Sequence, residues 1–384
     1  QIRMHYFVHI HTFILQWFML ATYFIWKFRK TTKVRYLYFA GALVVVQFWE
    51  SPLPVFWTFG VAAILLFRGF NELKRLWRHV IVIGFMILLM TLPLINVYYG
   101  VSKEFNYQRS IRDAAHFSMG VNDLWGTYLS PGLYLLSAIS IAFLVRKRIR
   151  IASARGGLGE MKWVFAVIFL GLLMALGPVL KIYGSTFKIF DKIFIPMPYG
   201  IFYYLIPGFG ALRTPSRWMI LFALGLSLVI AIAFSRLKTK FRNIVFLVAL
   251  AIAIFGGARV SEAQKMPTRE EYPKVYLWLK DQPGKVVLEL PIYTAGTDNK
   301  YVNEMYRMLY SLEHKKTLVN GYSGFYPPKW QEQAKKLIFE FPSESLENEL
   351  KNMGVAMIIV HKTEINPEKF EEIKLWGINK VVYE

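Results

Sequence analysis

The sequence has no cysteine, and its charged residues are few. The absence of cysteine excludes disulfide bonds and thiolate metal sites, although it does not identify the compartment in which the protein works. Only 18% of the 384 residues are charged, whereas soluble domains usually contain about a quarter. Hydrophobic residues make up 55% of the chain. This composition argues against a soluble globular enzyme.

Acidic residues are scarcest in the first two thirds of the chain. Residues 1–267 contain 30 lysines and arginines but only 8 aspartates and glutamates, whereas residues 268–384 contain 16 and 17. The net charge of +21 therefore arises entirely in the most apolar region. A nucleic-acid-binding domain would not place its charge there, so we expect a membrane protein with no nucleic acid partner.

Apolar runs divide residues 1–260 into about eight predicted transmembrane helices. Several runs approach the roughly 20 residues needed to cross about 30 Å of hydrocarbon. The runs cover residues 6–26, 36–49, 52–67, 80–99, 132–145, 163–180, 218–235 and 243–258. Only Glu50, Ser51 and Pro52 separate the second run from the third, and proline ends a helix. We predict two short helices that meet at a break near the membrane surface.

Basic residues concentrate in every second loop, and this regularity predicts the orientation of the chain. Four loops contain 19 of the 30 basic residues of the apolar region: 27–35, 68–78, 146–162 and 236–242. We place these loops in the cytoplasm. The loops 100–131 and 181–217 and the C-terminal domain are then predicted to lie outside it, in an integral protein of the cytoplasmic membrane.

From residue 261 onward the pattern is typical of an α/β domain. Predicted helices and strands alternate along residues 270–281, 285–292, 301–313, 317–320, 330–341, 345–353, 355–360, 367–376 and 380–383. This alternation indicates a mainly parallel sheet. The apolar run 355–360 predicts a strand that is buried on both faces. The expected fold is a polytopic α-helical membrane domain, residues 1–260, followed by a small outer α/β domain, residues 261–384.

The stretch from Met197 to Arg217 is too apolar for a solvated loop and too rich in proline and glycine for a spanning helix. We interpret it as a re-entrant or surface-lying element that ends in two arginines. If a helix begins by Pro215, the guanidinium groups of Arg213 and Arg217 approach its N-terminus, whose N–H groups also attract anions. The two arginines are therefore candidates for binding phosphate. The alternative is that both side chains extend to lipid headgroups.

Three carboxylates are candidate general bases. Glu50 lies between two predicted helices with no basic neighbour, and ionisable groups at such depth are often functional. Asp113 and Asp123 lie in the 100–131 loop, where partial burial would raise the pKa of a carboxyl group. The alternatives are a solvated helix end for Glu50 and ordinary surface charge for the aspartates. His5 and His9 share a helix face, but no third ligand accompanies them, so we predict packing roles and no metal site.

Parts of the chain resemble the GT-C superfamily of multispanning membrane glycosyltransferases, which includes the protein O-mannosyltransferases and the lipid A aminoarabinose transferases. The resemblance lies in HIHTFILQWFMLATYF with its following basic loop, in YYLIPGFGALRTPSRW, and in LVNGYSGFYPP and FPSESLENELKNMGVAMIIVHK near the C-terminus. Most members of this group have no assigned activity. The resemblance implies transfer of a sugar from a polyprenyl-phosphate donor to an acceptor on the outer face.

The resemblance also implies where the functional residues lie. The family's catalytic carboxylate belongs to a first outer loop, which we expect upstream of residue 1 in an N-terminally truncated chain. Arg213 and Arg217 are the residues that carry over, as donor phosphate-binding groups. The expected partners are the polyprenyl-phosphate donor, membrane lipids and an unknown acceptor, and the pattern identifies no cofactor while leaving room for a divalent cation. A non-catalytic lipid or polysaccharide transporter and an envelope scaffold are the competing interpretations, since broken helices also mark transporters.

Overall fold

The computed structural model describes residues 14–66, 70–106, 109–124, 129–150, 158–190, 192–237, 239–255, 266–294, 300–324 and 326–377. The chain separates into two compact units, Gln1–Glu262 and Ala263–Glu384, called here the N-terminal and C-terminal units. Each unit has a hydrophobic core of its own. His5 and His9 and the predicted strand 380–383 lie outside the described residues.

The N-terminal unit is built from helices and two small hairpins. Its helices are α1 (Gln16–Thr31), α2 (Arg35–Glu50), α3 (Leu53–Leu66), α4 (Phe70–Glu104), α5 (Ile111–His116), α6 (Pro131–Arg150), α7 (Leu158–Ala175), α8 (Pro198–Leu205), α9 (Met219–Ser235) and α10 (Thr239–Phe255). The hairpins, which lie between α7 and α8, pair β1 (Lys181–Ile182) with β2 (Ser185–Thr186) and β3 (Lys188–Ile189) with β4 (Ile193–Phe194).

The predicted break between α2 and α3 is present. Ser51 has an extended backbone, with φ −162° and ψ 120°, and α3 starts again at Leu53. The fully buried Gln47 stabilises this end of α2. Its side chain accepts a hydrogen bond from the N–H of Phe18 at 3.0 Å and donates one to the carbonyl of Ile14 at 3.2 Å. An amide is therefore used to join the start of α1 to the end of α2.

The prediction of about eight transmembrane helices is wrong. Within the described residues, two helices are long and apolar enough to cross a membrane: Lys74–Glu104, with 31 residues, and Pro215–Ser235, with 21. Helices α2 and α3 contain 16 and 14 residues, so at 1.5 Å per residue they extend only about 21 to 24 Å. The apolar segments Pro131–Arg146 and Met161–Ala175 are also too short. A count of apolar runs overestimates the number of transmembrane helices, because the composition of a run does not show where its helix begins and ends.

Helices α7 and α9 are in close contact at the centre of the N-terminal core. A Cβ atom added at Gly171 would lie 2.5 Å from the backbone N of Phe222, so no larger residue fits there without displacing α9. The neighbouring Met219 and Leu221 of α9 are completely buried. This contact sets the position of the first turns of α9, and therefore of the arginines that precede them.

The C-terminal unit is a small α/β layer. Its elements are α11 (Lys274–Leu279), β5 (Val286–Leu290), α12 (Tyr301–His314), β6 (Thr317–Leu318), α13 (Pro328–Phe339), α14 (Glu344–Asn352), β7 (Val355–Val360) and α15 (Pro367–Gly377). The strands form a parallel sheet in the order β6-β5-β7. Parallel strands are what the alternating sequence pattern predicts.

Burial within this sheet differs from the prediction for its last strand. The run 355–360 was expected to be buried on both faces, but β7 is largely half-buried, whereas β5 is almost completely buried. The reason is strand order, because among the described strands β7 pairs with β5 alone while β5 has a neighbour on each side. Residues 286 and 355 are brought together by long-range pairing, which hydrophobicity alone does not specify.

Candidate functional site

Three segments of the N-terminal unit meet before the start of α9. The segment around α5 is joined to the end of α7 by a hydrogen bond from the N–H of Met119 to the carbonyl of Ala175, at 3.0 Å. The ammonium of Lys181, in the first hairpin, donates to the last carbonyls of α5, those of Ala115 at 3.2 Å and His116 at 3.0 Å. The predicted outer loops 100–131 and 181–217 therefore pack against each other.

Close approach of these segments depends on a glycine at the end of α7. Gly177 has a φ of +76°, and a Cβ atom there would lie 2.3 Å from the Cβ of Ser118 and 3.5 Å from the Cγ of Pro215. Positive φ and lack of space both favour glycine at this position. Ser118, which follows α5, and Pro215, which begins the turn before α9, therefore both lie close to the backbone of Gly177.

Arg213 and Arg217 flank the start of the apolar helix, as the sequence predicts. A 3₁₀ turn over Pro215–Trp218 leads directly into α9, and both arginine side chains are half-buried. The guanidinium carbon of Arg213 lies 5.2 Å from the centre of the Phe117 ring. A cation held over an aromatic face retains its charge while losing conformational freedom. The arginine is thus positioned by the segment that follows α5 as well as by its own loop.

An aromatic cluster supports the loop that carries Arg213. Phe209 is 2% exposed, and the centre of its ring lies 5.1 Å from that of Tyr199, 5.5 Å from that of Phe56 and 6.2 Å from that of Trp218. The hydroxyl of Tyr199 donates to the carbonyl of Leu212. These contacts link α8, α3 and the start of α9, so the apolar residues of this loop have a packing role.

The predicted bases Asp113 and Asp123 close local turns. Asp113 and Ser110 form a reciprocal capping box at the start of α5, with hydrogen bonds of 3.0 and 3.2 Å. Asp123 accepts from the N–H of Gly120 at 2.8 Å and from the side chain of Asn122 at 3.0 Å. Such contacts are those of helix and turn caps. A catalytic role for either carboxylate stays a prediction.

Glu50 is exposed at the C-terminal end of α2. Both of its carboxylate oxygens accept from the side-chain amide of Gln16, at 3.2 and 3.0 Å. This pairing connects the start of α1 with the end of α2, next to the contacts of Gln47. The structure therefore places Glu50 at the helix break that the sequence predicts, and a role for it in proton transfer also stays a prediction.

The two segments that pack together here, 109–123 and 181–217, contain more basic than acidic residues. The basic residues are Arg109, Arg112, Lys181, Lys188, Lys192, Arg213 and Arg217, and the acidic ones are Asp113, Asp123 and Asp191. The hydroxyl of Tyr203 donates to the carbonyl of Arg109, which joins α8 to the segment before α5. Within the described part of the chain, no three His, Cys, Asp or Glu side chains are placed to hold a metal ion. Fixed cations beside a helix start favour an anionic ligand.

A second polar cluster, in the C-terminal unit, was missed by the sequence analysis. Glu289 of β5 and Glu304 of α12 are completely buried, and Arg307 is 2% exposed. The guanidinium donates to Glu304 at 2.8 Å and to Glu364 at 2.7 Å, and its Nε lies 3.6 Å from Glu289. A glutamate within the apolar run KVVLELPI was the available signal, since an isolated charge in a buried strand requires a partner.

Glu289 connects this cluster to two other elements. One of its oxygens accepts from the hydroxyl of Tyr276 at 2.6 Å and lies 2.8 Å from Nε2 of His361, directly after β7. The other oxygen of Glu289 and one oxygen of Glu304 are buried without a hydrogen-bond partner. Burial raises the pKa of Glu304, and Arg307 opposes that shift. Three carboxylates share one guanidinium at the carboxyl ends of the parallel strands.

A shallow cleft adjoins this end of the sheet. Its volume is about 180 Å³ and it is lined by Gly321, Tyr322, Ser323, Tyr326, Pro327 and Trp330. The rings of Tyr326 and Trp330 stack with centres 4.5 Å apart. The indole N–H of Trp330 donates to the carbonyl of Val319 at 3.0 Å, directly after β6. The cleft is therefore built on the loop that leaves the sheet.

No protein-family model matches the chain, and no match was found among the curated proteins or among the solved structures. The likeness to GT-C enzymes therefore depends on the sequence motifs alone. What the chain does must be inferred from its own residues and their geometry.

Proposed function

We propose that the chain is a membrane protein that binds the phosphate of a lipid-linked sugar at Arg213 and Arg217 and transfers the sugar to an acceptor. The observation that carries the proposal is the pair of half-buried arginines at the start of an apolar helix, one of them held over Phe117 at 5.2 Å. The GT-C-like motif PGFGALRTPSR contains both residues.

Membrane location is supported by the surface of α4. The most apolar 18-residue window of the segment Lys74–Glu104 has a mean hydropathy of 2.6, and only 6% of that window is buried within the protein. Large apolar side chains such as Phe85, Leu89 and Val97 are exposed on it. Exposed apolar area of this extent is unfavourable in water and requires another environment. The hydrocarbon of a bilayer provides one.

The chemistry of a lipid-phosphate donor agrees with this geometry. When the sugar leaves, negative charge develops on the phosphate, and cations held in place beforehand stabilise that charge. The guanidinium of Arg213 is held over the Phe117 ring, and the loop that carries Arg213 packs on the buried Phe209. The arginine side chain and its loop therefore do not have to move during the reaction. Two guanidinium groups can each form a two-pronged contact with phosphate oxygens. The long apolar tail would remain in the lipid beside α9.

Substitution of the arginines tests the proposal. We expect Arg213→Ala and Arg217→Ala each to weaken binding of a polyprenyl phosphate by about 10- to 100-fold, because a hydrogen bond to a charged group contributes roughly 1.5–3 kcal/mol. Lysine should restore part of this affinity, since it keeps the charge but not the fork. The measurements are equilibrium binding of a radiolabelled polyprenyl phosphate and transfer from its sugar conjugate, with the full chain in nanodiscs.

Arg236→Ala is the matched control. It removes the same kind of side chain from the opposite end of α9, so binding and transfer should remain at the wild-type level. Unchanged binding in both Arg213→Ala and Arg217→Ala would refute the phosphate site. Arginine-dependent binding without transfer from any lipid-linked sugar would refute the reaction and favour the transporter interpretation, for which the same phosphate contact would serve as recognition.

A further inference from the structure

The two hairpins before α8 present aromatic side chains at their tips. Tyr183 of the first hairpin is 84% exposed, and Phe190 of the second is 89% exposed. Both residues have a left-handed backbone, with φ values of 49° and 50°. Hairpin turns with positive φ normally contain asparagine or glycine, because other side chains crowd the backbone. Large rings at these positions are not explained by the requirements of the turns.

Further exposed apolar side chains lie on the second hairpin and on α8. Ile193 and Phe194 of the second hairpin are exposed, as are Ile201, Tyr204 and Leu205 on one side of α8. The opposite side of α8 is anchored in the core by Tyr199, which is completely buried. We define the hairpin surface as Tyr183, Phe190, Ile193, Phe194, Tyr204 and Leu205. Because α8 is anchored by Tyr199, its exposed apolar side chains belong to an element that is already packed against the core.

Lysines lie among these rings. The ammonium of Lys188 is 5.2 Å from the centre of the Phe194 ring, and Lys192 follows the tip of the same hairpin. Residues 181–194 contain three lysines and one aspartate. Aromatic rings combined with lysines are typical of segments that lie in the headgroup region of a bilayer, where the rings enter the apolar boundary and the ammonium groups remain among phosphates.

We propose that the hairpin surface inserts into the headgroup region of a membrane that contains anionic lipid. The second hairpin leads through α8 to Pro215, where the apolar segment Pro215–Ser235 begins, so the surface belongs to the end of α9 that carries the arginines. Charge favours lipid over a second copy of the chain, because two copies meeting at this surface would bring their lysines together. Insertion here would place the arginine loop at the depth of lipid phosphates.

The absence of cysteine allows a direct test with the full chain. Single cysteines replace Tyr183 or Phe190, a nitroxide label is attached, and the protein is reconstituted in nanodiscs with about one third phosphatidylglycerol. Both side chains are exposed at turn tips, so the fold should tolerate the change. We expect both labels to be relaxed more by oxygen, which concentrates in lipid, than by a water-soluble nickel chelate.

Two reference positions make the result specific. A label in Phe85→Cys, on the exposed face of α4, should report hydrocarbon, and one in Lys335→Cys, exposed on α13, should report water. The inference depends on the membrane location proposed above but not on sugar transfer. Lipid-like accessibility at 85 with water-like accessibility at 183 and 190 would refute insertion alone. Water-like accessibility at 85 as well would refute the membrane location and insertion together.

Charge variants of the hairpin surface test whether insertion requires anionic lipid. In Lys188→Glu/Lys192→Glu, the labels at 183 and 190 should shift toward water in nanodiscs containing phosphatidylglycerol, and the shift should be smaller in phosphatidylcholine alone. Lys335→Glu is the matched control and should leave both labels unchanged. Equal accessibility in both lipids and in the charge variant would refute the requirement for anionic lipid. Dipolar broadening between labels on separate copies would assign the surface to self-association and overturn the proposal.

Discussion

The two units bury different kinds of polar side chain. Among the described residues of the N-terminal unit, the buried polar groups are uncharged: Thr22, Gln47, Ser51, Thr58, Thr91, Ser118, Ser130, Ser137, Ser140 and Ser216. In the C-terminal unit they include Glu289, Glu304, Arg307 and His314. The two units also differ in their exposed side chains. Most of the exposed large apolar side chains belong to the N-terminal unit.

Hydrogen bonding explains this difference. In the helical unit, several of the buried hydroxyls donate to carbonyls one turn earlier in the same helix, as Thr58 does to Pro54 at 3.1 Å and Ser137 to Leu133 at 2.7 Å. Such groups need no partner from another element. In the C-terminal unit, Arg307 of α12 reaches Glu364, which follows β7, and thereby joins distant parts of the chain. Charge is buried where it holds separate elements together.

The largest expected effect comes from breaking the buried charge cluster. Arg307→Met would leave Glu289 and Glu304 without their cation, and removing one partner of a buried pair costs about 3–5 kcal/mol. The free energy of opening the C-terminal unit can be measured in the full chain by hydrogen exchange of peptides that contain β5. The matched control is Arg269→Met, whose arginine pairs with Glu313 while 65% exposed, so its effect should be under about 1 kcal/mol. Similar small effects for both variants would contradict a structural role for the cluster.

A smaller effect should appear as pH dependence of the C-terminal unit. Burial lowers the pKa of His314, and its Nδ1 accepts from the N–H of Lys316 at 3.1 Å, which protonation would prevent. A lowered pKa means that the unfolded chain binds the proton first, so stability is present above about 6.5 and is lost as pH falls through the folded-state pKa.

The histidine contribution can be isolated by comparing wild type with His314→Gln. We expect opening of β5 to become easier in wild type as the pH falls below about 6.5, with a weaker dependence in the variant. The raised pKa of Glu304 acts in the opposite sense, because its stabilising contribution is lost as pH rises, and it is common to both proteins. Parallel pH profiles for the two proteins would show that His314 is not responsible.

The smallest effect should come from a buried hydroxyl of the N-terminal unit. Thr58→Val keeps the shape of the side chain and removes only a hydrogen bond within α3, so unfolding in detergent should change by less than about 1 kcal/mol. Gln47→Leu should cost more, about 1–3 kcal/mol, since it leaves the N–H of Phe18 and the carbonyl of Ile14 without their buried partner. An equal cost for both would contradict the distinction between hydroxyls bonded within a helix and groups bonded between helices.

The site could be predicted from sequence where local geometry decides. Pro215 predicts a helix start, and Arg213 and Arg217 were predicted to bind phosphate because they lie on either side of that start. The contact of Arg213 with Phe117 was not predictable, because nearly a hundred residues separate them. The sequence does not distinguish Asp113 from other loop carboxylates, whereas the structure shows it in a capping box with Ser110. Hydrophobic patterns describe which residues avoid water, and they carry little information about which polar groups meet.

The sequence by itself determined the helix boundaries at Pro52 and Pro215, the confinement of excess positive charge to residues 1–267, and the alternation of helix and strand after residue 268. Each follows from local sterics or from residue periodicity, which act over a few residues. Tertiary structure alone decided that β5 rather than β7 is central, that Arg307 contacts three carboxylates, and that the rings at both hairpin tips are exposed. These features depend on contacts between residues far apart in the chain, whose energies are set by packing and desolvation in the folded state.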